Sequence, residues 1–327
     1  MSAILVTGGT GFIGSSLAIA LHQKGHDVRI LRREHSDLRA IGSTSVNHCI
    51  GDVRDRESLR KAISGCSVVF HTAAVISHWR RERELMFETN ITGTRNVVEA
   101  CEELGIQKLV YTSSVSAIGF RSDGKLADET TEYNWDPYDI GYRISKFRAE
   151  QEVWNGIKRG LPAVILNPST VIGPRDMHFH GGQIIRDVFR KRIFYYTDGG
   201  MNIVYIDDVI SGHLAALDRG RIGERYILAG ENLTYQQVFT TTAEIVGGIR
   251  PFIRLPIPVA RLIAAAAEAV STLTGRRPWV SRELVAGMEV RNWFSSEKAR
   301  RELGYNITPF REAIAKTFDW YRGKGFL

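Results

Sequence analysis

The chain has 327 residues, of which 43% are hydrophobic and 24% are charged, and its formal net charge is +7. This length is enough for one large domain or for two smaller lobes with a sizeable core. Lysine and arginine are scattered along the chain and do not form a stripe or tail, which argues against a nucleic-acid partner.

The cysteine count and the N-terminal pattern indicate the compartment. Only Cys49, Cys66 and Cys101 occur, without C-x-x-C or metal-ligand spacing, and this sparse, odd number suits a reducing compartment. The N-terminal residues run directly into the strand-like stretch AILVTGG and do not resemble a signal peptide. We therefore expect a cytoplasmic protein.

Strand-like and helix-like segments alternate through the first half of the chain. Short apolar runs that end in glycine or polar residues are typical of buried strands, and the segments between them have helical periodicity. In chain order these segments are AILVTGG, GFIGSSLAIALHQKG, DVRILRR, DRESLRKAISG, CSVVFHTAA, NITGTRNVVEACEELG, KLVYTSS, the helix containing YRISK, and PAVILNPS. The alternation predicts an α/β fold with a Rossmann-type, doubly wound parallel sheet.

The alternation becomes less regular in the second half, where an insertion with a helical segment begins. We expect 1–173 and about 203–245 to form a dinucleotide-binding domain. About 174–202 and 246–310 are predicted to form a smaller, mostly helical substrate-binding lobe, and 311–327 a C-terminal helix.

One apolar stretch, LPIPVARLIAAAAEAVSTLTG, raises the question of a membrane. Its uncharged run between Arg261 and Glu268 is far shorter than the ~20 residues that span a bilayer. We expect an amphipathic helix that packs on the protein or over an apolar site. Peripheral contact with a membrane surface stays open, because helices of this composition can also lie in an interface.

The sequence TGGTGFIG has glycines at Gly8, Gly11 and Gly14, between the first strand and the first helix. A strand that feeds a helix N-terminus presents free backbone N–H groups to a pyrophosphate. A side chain at Gly8 or Gly11 would hold the pyrophosphate away, and one at Gly14 would push the helix from the sheet. The predicted cofactor contacts of this turn are Gly8, Thr10, Gly11, Phe12, Ile13 and Gly14.

The residues after the second strand bear on the choice of cofactor. Enzymes that prefer NAD usually place an acid there to grip the ribose hydroxyls, whereas this chain has Arg32 and Arg33. A guanidinium can fork onto a 2′-phosphate, so NADP(H) is favoured over NAD(H). Glu34 supplies an acid if the strand ends two residues later. Asp52 and Val53, after the third strand, are predicted to flank the adenine.

Tyr142 and Lys146 are four residues apart and share a helix face. Hydride transfer at a nicotinamide requires a proton to move at the neighbouring oxygen. A lysine ammonium near Tyr142 is expected to lower the pKa of the phenol by favouring the phenolate. Ser114, at the end of KLVYTSS, can donate a hydrogen bond to the same oxygen, and Lys146 can also bind the ribose hydroxyls.

These motifs together resemble the extended short-chain dehydrogenase/reductases over essentially the whole chain. The similarity rests on TGGTGFIG, GDVRD, HTAA, NITGTRNV, VYTSSVSAIG, YRISKFRAE, NPSTVIGP and SSEKARRELGY. The branch most similar is dihydroflavonol-reductase-like and 3β-hydroxysteroid-dehydrogenase-like, including bacterial hopanoid-associated sugar epimerases. The resemblance implies Ser114, Tyr142 and Lys146 as the catalytic set. It selects Ser114 over Ser113, and Tyr142 over Tyr138, which lacks a lysine four residues later.

The resemblance also implies further cofactor contacts. Ala73 and Ala74 would line the wall beside the pyrophosphate and ribose, and Pro168 and Ser169 would contact the nicotinamide carboxamide. Asn90 matches an asparagine whose usual duty is structural, with a catalytic relay as the alternative.

His71, His178 and His180 invite a metal interpretation. HFH lies in the insertion without nearby acidic partners, however, so we expect no metal and interpret these histidines as loop residues that line a substrate pocket.

Two reactions compete. The chain either interconverts a bulky or lipid-like ketone and its alcohol with diffusible NADP(H), or epimerises or dehydrates a nucleotide sugar with a tightly bound cofactor. NPSTVIGP in place of the NVYGP of the sugar enzymes, and basic residues after the second strand, favour the reductase. A possible apolar lining, or simply the core of the smaller lobe, comprises PVARLIAAAAEAV, Phe179, Phe189, Phe194, Tyr195, Tyr196 and Trp279.

A non-catalytic nucleotide sensor is disfavoured because both the tyrosine and the lysine are present. We expect a small-molecule partner, and a homodimer stays open because dimers are common in the family.

Overall fold

The structure is a computed structural model and describes residues 3–327. Its strands are β1 (Ala3–Thr7), β2 (Val28–Arg32), β3 (Asn47–Ile50), β4 (Cys66–His71), β5 (Lys108–Thr112), β6 (Ala163–Pro168), β7 (Thr170–Ile172), β8 (Tyr195–Tyr196), β9 (Gly200–Tyr205), β10 (Arg225–Leu228), β11 (Glu231–Thr234) and β12 (Ile253–Arg254). Its helices are α1 (Phe12–Gln23), α2 (Arg56–Ile63), α3 (Arg83–Phe87), α4 (Gly93–Glu103), α5 (Gly141–Lys158), α6 (Gln183–Phe189), α7 (Ile206–Arg219), α8 (Tyr235–Val246), α9 (Ile257–Thr274), α10 (Arg282–Gly287), α11 (Glu297–Leu303) and α12 (Phe310–Gly323). A π-helical turn, Glu88–Thr92, joins α3 to α4.

Seven strands form one parallel sheet in the order β10-β6-β5-β4-β1-β2-β3. The chain winds outward from β1 to β3, returns to β4 on the other side of β1, and winds outward again. At the carboxyl ends of β1 and β4, Thr7 pairs with His71. The crevice outside such a switch point is the usual ligand site of an open α/β sheet. The doubly wound parallel sheet predicted from the sequence is confirmed.

Residues of the central strands alternate between two buried apolar layers, one on each face of the sheet. Val6, Phe70 and Val110 pack in the layer that α1 and α7 cover. Leu5 and Val69 pack in the layer that α4 and α5 cover. Because both faces are buried, the strands read as continuous apolar runs without polar alternation.

The second half contributes both to the central sheet and to a mostly helical region. β10 pairs with β6 over Arg225–Leu228, so a late segment returns to the central sheet, as a discontinuous division of the chain requires. β7, β9 and β11 form a separate sheet, and β8 pairs with β12. The mostly helical C-terminal part, α9 to α12, agrees with the prediction. The exact domain boundaries given above stay a prediction.

Helix α9 contains the apolar, alanine-rich stretch. By length and composition it could cross a membrane, the one such helix within residues 3–327, and 22% of the span is buried. Its two charged residues form ion pairs outside the helix, Arg261 with Glu289 and Glu268 with Arg282. Its buried face is narrow and consists of small residues, namely Ala260, Ala264, Ala267 and Ser271. These contacts attach α9 to the region around α10.

Candidate active site

The glycine turn follows β1 and packs closely against the loop after β4. Gly8 has a φ of +67°, and a Cβ there would lie 2.8 Å from the Cα of Ala73. A Cβ at Gly14 would lie 2.2 Å from the Gly8 carbonyl oxygen and 2.6 Å from Oγ1 of Thr72. Gly14 is therefore required for helix–strand packing, as predicted. Gly8 is required because of its positive φ and its close contact with Ala73. The expected reason was different, namely that a side chain there would hold the pyrophosphate away.

Gly11 differs from these two glycines because the protein around it would tolerate a side chain. It is exposed, and a Cβ there would meet only the Gly8 carbonyl oxygen, at 3.3 Å. The first bond of α1 runs from the Ser15 N–H to the Gly11 carbonyl, at 2.8 Å. The N–H groups of Phe12 and Ile13 precede this bond and lack partners inside the helix. An open backbone cradle at a helix N-terminus fits a pyrophosphate.

Arg32 and Arg33 have different surroundings at the end of β2. Strand β2 ends at Arg32, so Glu34 lies two residues beyond its end. The Arg32 guanidinium donates to Nδ1 of His48 at 2.9 Å and to the Glu34 carbonyl at 3.0 Å. Arg33 is exposed, and its positive charge helps to lower the pKa of Asp52. Arg32 thus shapes the turn, whereas the Arg33 side chain extends from it.

The two residues predicted to flank the adenine are both restrained. The Asp52 carboxylate accepts from Arg54 at 2.9 Å, and this hydrogen bond is the main reason that its pKa is lowered. Val53 is buried, and a Cβ at Gly93 would lie 2.7 Å from its Cγ2. Asp52 therefore stays ionised at the rim, and most of the Val53 side chain packs inward.

Ser114 and Tyr142 come together at the carboxyl end of β5. Ser114 begins a short 3-10 turn, and its Oγ accepts from the Ser116 N–H at 3.1 Å. Tyr142, on the first turn of α5, lies close enough that the Ser114 hydroxyl tends to lower the pKa of its phenol. The Tyr142 ring meets the His78 ring edge-on, with centroids 6.2 Å apart. Serine and tyrosine of the predicted set therefore share one site.

Lys146 lies one turn after Tyr142 and is only 2% exposed. Its Nζ donates to the Thr112 carbonyl at 3.0 Å and to the Tyr111 hydroxyl at 3.3 Å. Burial lowers the pKa of Lys146 to about 8, and the charge of Glu150 opposes that effect. The ammonium is thus held at the end of β5. It lies one helical turn from Tyr142 along the chain, but its hydrogen bonds go to Thr112 and Tyr111.

The expected lowering of the Tyr142 pKa is wrong for this structure. The pKa of Tyr142 is raised above 10, because burial disfavours the phenolate more than Ser114 and Arg143 favour it. Lys146 does not lower it, since its Nζ is bonded to Tyr111 and Thr112. Tyr142 is consequently a phenol near neutral pH, the form that can give up a proton.

The buried carboxylate of Glu150 lies next to the catalytic residues and was not predicted from the sequence. Glu150 is 1% exposed and accepts from Oγ of Ser113 at 2.5 Å and from Nδ2 of Asn167 at 2.8 Å. Its other oxygen accepts from Arg225 at 3.1 Å. Asn167 also donates to the Ser114 carbonyl at 3.0 Å. The spacing of four from Lys146 was a signal that could have revealed Glu150.

Asn90 and His71 have structural partners. Asn90 lies in the π-helical turn, accepts from the Val75 N–H at 2.8 Å and donates to the Val75 carbonyl and to Ser145. The predicted structural duty of Asn90 agrees with these contacts. His71 belongs to β4 and not to a loop, and it is bonded to Thr7 at 2.7 Å and to Thr94 at 3.0 Å. Burial lowers the pKa of His71 to about 3, so this histidine is a neutral core residue and not a pocket-lining one.

His178 and His180 follow β7 and lie beside the glycine turn. They border a small cavity together with Thr10, Phe12 and Asp37. This position is at the pyrophosphate end of the crevice, so the idea that they line a substrate pocket has no support here. Within residues 3–327, no group of three or more His, Cys, Asp or Glu side chains could hold a metal ion.

Pro168 is the last residue of β6, and Ser169 follows it. Pro168 pairs with Leu228 of β10, and the Ser169 N–H donates to the Leu228 carbonyl at 3.3 Å. The buried Oγ of Ser169 has no hydrogen-bond partner within residues 3–327. A buried hydroxyl of this kind is suited to a polar ligand group such as a carboxamide.

The aromatic residues suggested as a substrate lining are dispersed. Phe179 stacks on Tyr321 with centroids 4.6 Å apart, and Phe189 packs on Phe318 at 5.5 Å. Trp279 is 70% exposed. The alternative that Phe179 and Phe189 belong to the core is therefore correct.

Residues that the sequence analysis did not identify surround Tyr142. Glu283 of α10 accepts from the Gly141 N–H, at the start of the catalytic helix, at 3.1 Å. Arg143 donates to Asn292 at 2.8 Å, and its Cζ lies 3.6 Å from the centre of the Trp135 ring. Glu283 and Asn292 are more than a hundred residues away in sequence from the residues that they contact, so no local sequence pattern could predict these contacts.

The parallel sheet and the glycine turn at its switch point are those of a dinucleotide-binding enzyme. The model of the NAD dependent epimerase/dehydratase family matches residues 4–229. The chain belongs to this family of extended short-chain dehydrogenase/reductases, whose members are NAD(P)-dependent enzymes.

Three known proteins illustrate the relationship. The chain is 35% identical over 327 residues to a putative dihydroflavonol 4-reductase of Synechocystis sp., covering 98% of this chain and 95% of that one. It is 32% identical over 326 residues to sterol demethylase protein B of Methylococcus capsulatus, covering 99% of both. The crystal structure of Thermus thermophilus UDP-glucose 4-epimerase with NAD has a TM-score of 0.78 and 27% identity, covering 98% of this chain and 99% of that one.

Proposed function

We propose that the protein is an NADP(H)-dependent oxidoreductase that interconverts a bulky ketone and its secondary alcohol. The observation that carries the proposal is the Ser114–Tyr142 pair, in which a phenol of raised pKa lies beside a serine hydroxyl at the carboxyl ends of the strands. Two relatives whose names refer to a dihydroflavonol and a sterol support a bulky substrate.

In this proposal the nicotinamide supplies or accepts the hydride when the cofactor is bound. During reduction, the Tyr142 phenol donates its proton to the carbonyl oxygen as negative charge develops there. The Ser114 hydroxyl donates a hydrogen bond to the same oxygen. Lys146 is held by Thr112 and Tyr111 at a fixed place one helical turn away, where the third N–H of its ammonium would be available to the ribose hydroxyls of the nicotinamide.

The preference for NADP(H) rests on Arg33 in particular. Its exposed guanidinium extends from the end of β2, while Arg32 is bonded to the backbone of the turn. Arg33→Ser is expected to weaken NADPH binding about ten- to hundredfold, because charge-assisted hydrogen bonds contribute about 1.5–3 kcal/mol, and to leave NADH binding unchanged. Arg39→Ser, which removes a charge paired to Asp37 on the same loop, is the control. Equal losses for the two cofactors would contradict the assignment.

The second candidate is a nucleotide-sugar epimerase, which the similarity to UDP-glucose 4-epimerase favours. Purified protein with NADPH and a ketone panel should oxidise one NADPH per alcohol formed if it is a reductase. An epimerase would convert UDP-glucose without net change in nicotinamide absorbance. The second outcome would overturn the proposed function.

We also propose that α9 makes peripheral contact with an anionic membrane at the cytoplasmic surface. On its outward face, Leu262 is 72% and Leu273 is 87% exposed. Arg276 and Arg277 follow the helix and precede the exposed Trp279. Apolar residues flanked by arginine and tryptophan are typical of helices that lie in a lipid interface.

Vesicle sedimentation tests this contact. The wild type should bind phosphatidylglycerol vesicles more strongly than phosphatidylcholine vesicles, and a Leu262→Ser/Leu273→Ser variant should lose binding. Leu104→Ser, at an exposed leucine after α4, is the matched control. If the wild type stays in the supernatant with both kinds of vesicle, the membrane proposal fails.

A further inference from the structure

Arg143 lies next to the catalytic Tyr142, and its guanidinium has no acidic partner within the described residues. Two other partly buried arginines in this part of the molecule have one: Arg225 pairs with Glu150, and Arg83 with Asp139. Arg143 forms no ion pair with any acidic side chain within residues 3–327, and its solvent-inaccessible Nη1 has no hydrogen-bond partner there. Arg143 is half-buried, and a charge that is partly removed from water is normally paired in proteins, because an unpaired one loses hydration without compensation.

The guanidinium of Arg143 is nevertheless held firmly. One face lies 3.6 Å from the centre of the buried Trp135 ring, and Nη2 donates to Oδ1 of Asn292. Trp135 is fixed by its own bond to the Ile118 carbonyl at 3.1 Å, and Asn292 by a bond to the Gly287 carbonyl at 2.9 Å. A planar guanidinium restrained on one face and at one nitrogen presents its remaining N–H groups in a fixed direction.

The groups around Arg143 are those of the reaction site and not of a separate surface. Its charge acts on the Tyr142 phenol and on the His78 ring, whose buried Nδ1 lies 4.0 Å from a Glu283 oxygen and has no hydrogen-bond partner in the described chain. The hydroxyl of Tyr133, which is close enough to influence Arg143, is unpartnered too. Unsatisfied polar atoms on residues that neighbour one catalytic side chain are explained if a polar ligand group completes them.

Desolvation also disfavours the charge of Arg143. It lowers the pKa of Arg143 to about 10, and only the phenols of Tyr235, Tyr133 and Tyr142 oppose it. The fold therefore keeps a guanidinium in an unfavourable environment without a protein anion to neutralise it. The partner best suited to a planar, forked donor is a carboxylate or another oxyanion.

We propose that Arg143 forms an anion subsite, and that the substrate carries a carboxylate or another oxyanion at some distance from the carbonyl that Tyr142 protonates. This inference rests on the proposed function for the identity of the reacting group. It narrows the substrate class from bulky apolar ketones to oxo acids and their hydroxy-acid products, whose apolar body separates the two polar ends.

The first experiment measures binding and does not depend on catalysis. Dodecanoate, dodecyl phosphate and methyl dodecanoate are titrated into the NADP⁺-loaded protein by calorimetry. The wild type should bind at least one of the two anions about ten- to hundredfold more tightly than the ester, the range expected of a charge-assisted hydrogen bond. The stronger of the two anions identifies carboxylate or phosphate as the preferred group. Arg143→Met should remove the difference, and Arg148→Met, at an exposed arginine on the same helix, should keep it.

The second experiment measures catalysis with pairs of substrates. Oxododecanoates that differ in the position of the ketone are compared with their methyl esters in the NADPH oxidation assay. The acid should be preferred in kcat/KM by the wild type, and Arg143→Met should equalise acid and ester. If no ketone is reduced but the anion preference in binding is present, the proposed function fails and the subsite stands.

A purely structural role for Arg143 predicts different results. Arg143→Met keeps the apolar stem and removes the charge, and replacing an unpaired, partly desolvated charge by an apolar group is often neutral or stabilising. The ligand-free variant should therefore melt no lower than the wild type. A large drop in melting temperature, or a wild type that binds the ester as tightly as both anions, would overturn the proposal.

Discussion

Removing the charge of Glu150 should destabilise the fold and disturb the site above it. Glu150→Gln preserves the shape of the side chain but replaces one carboxylate oxygen by an NH₂ group. The two oxygens accept from four donors: Ser113 and Asn167 on one, Arg225 and Trp154 on the other. The amide NH₂ must then face at least two donors, and Arg225 loses its acidic partner.

The magnitude follows from the burial of this pair. Breaking a buried ion pair by removing one partner costs about 3–5 kcal/mol, and we expect the lower end because the Arg225 side chain is 18% exposed. At about 2–4 °C per kcal/mol for a large domain, the melting temperature should fall by roughly 5–10 °C. Because the charge of Glu150 raises the pKa of Lys146, the pKa of that lysine should fall further in the variant.

Differential scanning calorimetry measures the first effect. Glu152→Gln is the matched control, since Glu152 lies on the same helix and pairs with the exposed Arg95 at 2.7 Å. Surface pairs contribute at most about 1 kcal/mol, so this control should melt close to the wild type. If Glu150→Gln melted as high as Glu152→Gln, the buried network would not have the stabilising role inferred for it.

Three further predictions concern the turn, the lysine and the asparagine. Gly14→Ala should prevent folding or cofactor binding, because its Cβ would lie 2.2 Å from the Gly8 carbonyl oxygen. Gly11→Ala should fold normally and weaken only NADPH binding. Circular dichroism measures the folding of both variants, and fluorescence titration measures their NADPH binding. The pKa of Lys146 is about 8 when folded and 10.5 otherwise, so burying the charged form opposes folding fully below pH 8. The difference in free energy of unfolding between the wild type and Lys146→Met should therefore change in favour of the wild type by about 3 kcal/mol between pH 8 and 10.5, at about 1.4 kcal/mol per pKa unit. A difference that did not change with pH would contradict this expectation. Asn90→Ala should lower the free energy of unfolding by about 2–4 kcal/mol in urea, since it leaves buried backbone groups unpaired, and an unchanged midpoint would refute that role.

The features that the sequence predicted well depend on short spacings. The glycine turn, the ends of β1 and β5, and Tyr142 with Lys146 each follow from residues within about two helical turns of one another. The alternation of strands and helices predicted a doubly wound parallel sheet, and the structure has one.

The features that the sequence could not predict depend on distant parts of the chain. Arg225 reaches Glu150 from 75 residues away, and Asn292 reaches Arg143 from 149 residues away. The expected lowering of the Tyr142 pKa failed because burial was not visible in the spacing, and burial outweighs the effects of Ser114 and Arg143. Composition alone also could not separate aromatic core residues, such as Phe179, from a substrate lining.

The comparison of Tyr142→Phe with the wild type tests the central claim most directly. With NADPH and a reducible ketone, the variant should lose about a hundred- to ten-thousandfold in kcat, the usual contribution of a positioned general acid. Its dissociation constant for NADPH should stay within about twofold of the wild type, because in this account the phenol acts on the substrate oxygen. A variant that reduced the ketone at nearly the wild-type rate would show that the proton comes from another group, and the proposed chemistry would be wrong.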